Sequence, residues 1–481
     1  MSISHALNNA LSGLTASSRM AEVVSSNLSN VLTDGYGRRE VNLGAQAVGG
    51  QGAGVEILGI ERVVERGVLA DRRAASSILT HELMVSNALG RLEITIGEVG
   101  DGYSLDSRIT ALEEALALAA SDPSSEQRLA NVSDSLNDVA TTLNADARAI
   151  QAQRAEADAQ IADHIDILNT SLKQVEMLNA DITRSMNQGA DPSALQDQRQ
   201  VVIDTIAEIV PVREMTRPGG QVALVTASGE ILIDGPAQQF EFESNALITA
   251  DMTFATGRLG GITKDGVPMG VDGLGKLSGG SLSAAFELRD EILPAASDGL
   301  DQIAADLIGR FEDPAFDATR VAGTPGLLTD AGAEFAAGDP TGLASRIVIN
   351  DLIVPAAGGD LSLLRDGIGA VTSGPVGDAS QLNNWLDALS DIRALPAGGT
   401  PRSAADHSAA WVASISNQRV AAEEDLGFAT ARYDVMKSAE LAGGVDTDQE
   451  LLMLMKIEQA YAANAKVMQT IESMIHTLME L

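Results

Sequence analysis

A chain of 481 residues has room for roughly two to four domains with real cores, and its lack of cysteine excludes disulfides, thiolate metal sites and thiol nucleophiles. Acidic residues outnumber basic ones by 67 to 32, and the net charge of −35 opposes binding to nucleic acid or to an anionic membrane surface. No run of about 18 apolar residues occurs, so no spanning helix is expected, and Met1-Ser2-Ile3-Ser4-His5 lacks the basic start of a secretory signal.

The first expected element is a helix with one apolar seam. Ile3, Leu7, Ala10, Leu14, Ser17, Ala21, Val24, Leu28 and Val31 recur in steps of four and three, the period at which helices wind around one another. The seam passes through Ser25-Ser26-Asn27-Leu28-Ser29-Asn30 and leads to Thr33-Asp34-Gly35-Tyr36. A glycine-rich stretch, Gly49-Gly50-Gln51-Gly52, and a segment with Val55, Ile57, Leu58 and Ile60 follow, and then helices dominate. One helix runs around Ile109, Leu112 and Leu116 and stops at Ser121-Asp122-Pro123. A long one spans Leu129 to Met186 and closes on Gln188-Gly189 as a glycine cap. His164 lies on its apolar stripe, where a hydrogen-bonded packing role is expected. Asp191-Pro192 offers an N-cap and a first-turn proline for a helix carrying Leu195, Val202, Ile206 and Ile209, which Pro211 ends.

From about Val212 to Gly275 the period changes. Gln221–Val225 and Glu230–Ile233 flank Ser228-Gly229 as a hairpin would, and Phe240-Glu241-Phe242 alternates like a further strand. Gly270-Val271-Asp272-Gly273-Leu274-Gly275-Lys276 has the spacing of a phosphate-binding loop up to its lysine. Leu277 stands where the magnesium-binding Ser or Thr belongs, and no strand leads in, so a chance match is the better reading. Helix returns from Leu282 to Phe311 with a kink at Pro294. In the irregular region after it, Ile347–Ile349 and Leu352–Val354 read as short strands, and a helix spans Ser403 to Ala439. The five histidines are scattered without metal spacing, Glu113-Glu114 and Glu423-Glu424-Asp425 read as solvated helix faces, and no catalytic, cofactor or metal site emerges.

The last element mirrors the first. Leu454, Ile457, Tyr461, Asn464, Met468, Ile471, Ile475 and Leu478 form a second seam, and Thr447 with Glu450 reads as a capping box at its start. A helix with one apolar stripe must find a partner, so paired seams at the two ends point to assembly. Asn464, Asn27 and Asn30 are candidates for register-setting polar contacts.

Asn27, Asn30, Gly35 and Tyr36 near one end, with Gln459, Tyr461, Asn464 and Lys466 near the other, resemble motifs of the axial proteins of the bacterial flagellum, the rod, hook and hook-associated family. The Gln-to-Tyr spacing is one residue shorter than the family pattern. Ser278-Gly279-Gly280-Ser281-Leu282 with its continuation through Leu288-Arg289-Asp290, the Asp197-Gln198-Arg199 turn, and Gly444 to Glu450 resemble the hook-associated branch. The resemblance implies a structural adaptor joining hook to filament, and no enzyme. Its implied partners are copies of itself in a ring or helical tube, hook protein, a second hook–filament junction protein, and an export chaperone at the C-terminal arm. It also implies export by the flagellar type III apparatus without a cleaved signal, and a final place outside the cell. Hook or distal rod protein is the nearest rival, disfavoured by the long helical run, and a wall-acting enzyme on axial-type ends is a more distant one.

The fold expected is mainly α with β insertion. Terminal coiled-coil arms occupy 1–45 and 445–481, and a long-helix bundle occupies 46–211, 276–312 and 380–444. A β-rich insert occupies 212–275, and 313–379 is an irregular Gly- and Pro-rich insert, part of the helical domain or a small subdomain. The arms bury too little alone to offset about 1–2 kcal/mol of backbone entropy per residue, so they are expected to order on assembly.

Overall fold

The structure is a computed structural model that describes residues 3–48, 51–335 and 338–480. Gly49 and Gly50 of the glycine-rich stretch lie outside the described residues. The chain opens with α1 (Ile3–Ser29), followed by an antiparallel hairpin of β1 (Arg38–Val48) and β2 (Gln51–Val63). Four helices come next: α2 (Arg66–Ile96), α3 (Leu105–Ser121), α4 (Glu126–Asn187) and α5 (Ser193–Ile209). A three-stranded sheet in the order β3 (Val212–Thr216), β4 (Val222–Thr226), β5 (Ile231–Ile233) begins the insert. It continues through the short β6 (Phe240–Glu241), β7 (Thr263–Lys264) and β8 (Val267–Pro268).

Helix resumes in α6 (Gly280–Glu287) and α7 (Leu293–Glu312), separated by one π turn over Leu288–Ile292. Pro294 sits in the first turn of α7, and the wide turn before it absorbs the hydrogen bond that proline cannot donate. Then come β9 (Leu328–Asp330) paired with β10 (Ile347–Ile349), α8 (Ser362–Asp366), α9 (Ser380–Ser390), and the hairpin β11 (Arg393–Leu395) and β12 (Gly398–Arg402). Two long helices, α10 (Ala404–Ala442) and α11 (Thr447–Met479), complete the chain.

The 62 residues of α4 serve two cores. Its first half packs Leu136, Val139 and Leu143 with Leu92, Leu112, Leu300 and Trp385, and its second half packs Ile161, Leu168 and Val175 with Ile206, Leu224 and Phe286. One long amphipathic helix thereby joins the helical bundle to the β insert. Leu327, Leu343, Ile347 and Leu364 of the irregular region belong to the first core, which makes that region part of the helical domain. Helix α4 stops as its sequence suggests, with Gly189 taking the left-handed conformation (φ +71) that a side chain would disfavour.

Some expectations need correction. Leu352 and Ile353 form a 3₁₀ turn instead of a strand, because the Asn350 side chain accepts a hydrogen bond from Leu352 N (3.0 Å) and bends the backbone there. The boundary placed at residue 45 falls inside β1, since the hairpin belongs with α1 and not with the bundle. Helix α5 starts at Ser193 with Pro192 at the cap position, while the Asp191 carboxylate accepts from Ser193 N (2.9 Å). His164 is half-buried with its Nδ1 unpartnered, and desolvation lowers its pKa, so it packs without the expected hydrogen bond there.

Helix-borne asparagines fasten the insert. Asn169 donates to Phe240 O (2.7 Å) and accepts from Phe240 N (2.9 Å), and Asn179 does the same with Val222 (2.9 and 3.1 Å). Each amide replaces the neighbouring strand that an extended residue would otherwise need.

Candidate assembly interface

Helix α11 packs along α1, and the contact is close at Gly13, where a Cβ would lie 2.6 Å from the Asn464 side-chain nitrogen. Glycine there is a requirement of close helix approach. The seam on α11 is unevenly used. Ile457 and Ile471 are buried, and Leu454, Asn464 and Met468 are half-buried, while Tyr461 (49% exposed), Ile475 (38%) and Leu478 (60%) remain open. On α1, Val24 is buried, and Ile3, Leu7, Leu14 and Leu28 are half-buried. Val31 lies beyond the end of α1, half-buried in the turn that follows, so it is not a seam position. Two helices alone share one line of contact, which explains why only part of each seam is covered. Gln459 and Lys466 of the C-terminal motif are exposed.

The N-terminal motif has a definite architecture. Asn27 is fully buried, donates to Arg39 O (3.0 Å), and accepts from Arg39 N (3.0 Å) and the Tyr36 hydroxyl (2.9 Å). It is the same two-bond clamp that fastens the insert. Asn30 donates to Ser26 O (2.8 Å), so it shapes the helix end and not the helix–helix register. Gly35 (φ +74) turns the chain against α5, where a Cβ would sit 2.5 Å from Val201.

That turn docks on Asp197. Its carboxylate accepts from Gly37 N (3.0 Å), Arg39 Nη2 (2.8 Å) and Arg62 Nε (2.6 Å), and the Arg39 guanidinium lies over the Tyr36 ring at 4.8 Å. The Gly-Tyr motif and the Asp197-Gln198-Arg199 turn, far apart in sequence, are thus two halves of one joint between arm and body. Arg199 points the other way, donating to Asn179 Oδ1 and Gly220 O (both 2.8 Å). Its burial lowers its pKa to about 10.

The second arm enters beside this joint. The expected capping box is overturned. Asp446 is the cap, accepting from Asp448 N (2.9 Å) and Gln449 N (3.1 Å), and Thr447 is already helical. Glu450 is buried and paired with Arg38 Nε at 2.7 Å, a distant partner that draws it away from the cap. Arg72 pairs with Glu440 near the end of α10 (2.6 Å), so both ends of the α10–α11 turn are ion-paired to the joint region.

Other singled-out residues are structural. Arg289 and Asp158 form a fully buried pair (2.7 Å), with Arg289 stacked on Phe242 and Phe286, and the Asp158 carboxylate also accepts from Asn245 N (2.5 Å). This pair holds the insert to α4 and the π turn. In the phosphate-loop look-alike, Asp272 Oδ1 accepts from Leu274 N (3.2 Å) and Gly275 N (2.7 Å), so a carboxylate already occupies the donors that a phosphate would need. Only the two-residue β8 precedes that loop and only a three-residue 3₁₀ turn follows it.

Known proteins supply the class. Residues 89–327 match the family model of the flagellar hook-associated protein FlgK helical domain, and residues 442–481 match that of the flagellar basal body rod FlgEFG protein C-terminal. The chain belongs to the axial proteins of the bacterial flagellum. Within that class it resembles flagellar hook-associated protein 1. It is 27% identical to that protein of Escherichia coli over 243 residues, covering 48% of this chain and 44% of the relative. It is 24% identical to that of Bacillus subtilis over 240 residues, covering 47% of each. The chain spans less than half the length of these relatives. A solved structure titled as the flagellar hook junction protein FlgK from Burkholderia pseudomallei is similar with a TM-score of 0.43 at 17% identity, covering 57% of this chain and 49% of that one.

Proposed function

We propose that this chain is a structural adaptor of the flagellum that joins hook to filament and assembles through its two terminal helices. The observation that carries the reading is the arm itself. A well-packed acidic body is ion-paired to two helices that cover each other along one line and leave apolar residues such as Tyr461, Val467, Met474 and Leu478 in solvent. Exposed apolar surface of that extent marks a protein–protein contact. Copies of the same chain, hook protein and a second junction protein are the partners of this reading, and no catalytic step is assigned. Export without a cleaved signal and a chaperone on α11 complete it, because a sticky helix needs cover until it polymerises.

A deletion strain tests the reading. Hooks without filaments, with unpolymerised flagellin shed to the medium, is the expected phenotype. Normal filaments in the deletion would refute it.

A further inference from the structure

The arm carries two unpartnered surfaces besides the α1–α11 contact, and they lie on different elements. One is a groove of about 510 Å³ between α1 and the β1–β2 hairpin, with Leu11 and Thr15 on one wall and Ala53, Val55 and Ile57 on the other. None of its lining residues is charged, in a chain with a net charge of −35. The other surface is on α11. Met453, Ala460, Val467 and Met474 follow one another at intervals of seven, and all four are exposed. Ala463 and Thr470 lie between them, and Lys456 is the single charge, at the proximal end. At about 100° per residue this stripe lies roughly 50° around the helix from Ile457 and Ile471, which face α1. It is a second seam, and a helix with two adjacent seams packs with more than one neighbour.

We propose that the second seam of α11 in one copy fills the α1–hairpin groove of the next copy. This rests on the assembly reading above and assigns its two faces. Three observations choose a second copy as occupant. The groove is uncharged and the seam carries only Lys456 at its proximal end, so their union strands no charge beyond the first turn of the seam, whereas an acidic or basic partner segment would lose hydration without compensation. Groove and seam also lie on different elements of the same arm, so the contact can repeat head to tail from copy to copy, which builds a ring or tube. Finally, the levels agree. Gly13 touches Asn464 and the two helices run antiparallel, so Val467 lies level with residue 10 of α1, beside Leu11. Rotation about an axis along the arms preserves that level, and it presents Val467 of one copy to the groove of its neighbour.

The absence of native cysteine makes the test direct. Full-length L11C/V467C is concentrated until it assembles and then oxidised. G13C/N464C, placed at the contact within one chain, is treated in parallel. A ladder of dimers, trimers and higher species from L11C/V467C on a non-reducing gel, absent from either single variant, is the expected result, with only an intrachain link from G13C/N464C. Two outcomes overturn the assignment while leaving the assembly reading intact. In one, assemblies form and the control pair links, yet L11C/V467C gives no ladder. In the other, L11C/V467C links within one chain, which seats the chain's own α11 in the groove. Failure of the wild type to assemble under any condition overturns both. A V467E variant supplies a second readout, with at least a tenfold rise in the concentration needed for assembly expected and no change contradicting the pairing.

Discussion

Asp197 is where the joint is most exposed to perturbation. Its side chain is 13% exposed and those of Arg39 and Arg62 are 16% and 12%, so all three sit mostly out of water. Asp197→Ala removes the acceptor of one backbone N–H and two guanidinium donors and leaves both cations short of a partner. Breaking a buried pair on one side costs about 3–5 kcal/mol, and the residual exposure here reduces that to roughly 2–4 kcal/mol. The loss is local, because the two cores of the body contain none of these groups. It falls on the Gly35 turn and the base of the β1–β2 hairpin, whose opening is set by a local free energy. At about 1.4 kcal/mol per tenfold, amides of residues 37–42 and 58–63 should exchange roughly 30- to 700-fold faster in the variant. Amides of α4 should not change. Hydrogen exchange read by mass spectrometry checks this, with Asp197→Asn expected in between, since an amide oxygen still accepts from Gly37 N. Unchanged exchange in the hairpin base, with a folded body, would refute the joint as the arm's anchor.

Further tests address other parts of the molecule. Asp146 is buried with Oδ2 unpartnered, and desolvation raises its pKa from 3.8 to about 7. A carboxyl with a folded pKa above its unfolded one binds more protons when folded, so its contribution to stability is lost as pH rises from about 4 to 7. Asp146→Asn should therefore stabilise the body by roughly 2–4 kcal/mol at pH 8 and hardly at all at pH 4, measured by denaturant titration. Lys276→Ala should leave assembly unchanged, and calorimetry on the wild type should detect no nucleotide binding. Magnesium-dependent ATP affinity would contradict the assignment of Asp272 to those backbone donors. A truncation ending near Gly444 should lose capture of the export chaperone that full-length protein retains, and equal capture by both would remove α11 as the chaperone site.

What could be read from the sequence follows physical contrast. The seams of α1 and α11 and the stripe of α4 stand out because large aliphatic residues alternate with charged ones at a fixed period. The first half of helix α2 does not, because after Leu69 its buried residues are Arg72, Arg73, Ala75, Ser76 and Ser77, and such small or charged residues give little hydropathy signal. The β1–β2 hairpin is hidden for a similar reason. It opens with Arg38-Arg39-Glu40 and closes near Glu61-Arg62, and its partner is a helix far from either core. Asp197 and the Gly-Tyr turn were visible separately as motifs, but their meeting across about 160 residues is a tertiary fact that no local pattern encodes. Sequence alone does not separate Asp446 from Thr447 as the cap, because both are good caps. The choice between them depends on Arg38, which claims Glu450. The clamps of Asn169 and Asn179 give no signal, since an amide on a helix looks like any exposed polar residue until its strand arrives.

The central claim is that the two arm helices meet along one buried seam and that this seam is required to build the junction. The most direct measurement is the flagellum made by cells whose only copy carries Ile457→Asp and Ile471→Asp, the two apolar α11 positions buried within the arm. Two carboxylates in that apolar line cost more than the contacts they replace, while neither position touches the cores of the body. The account predicts secreted protein with a normally folded helical body and bare hooks that carry no filament. Filaments of normal number and length on these cells would contradict it.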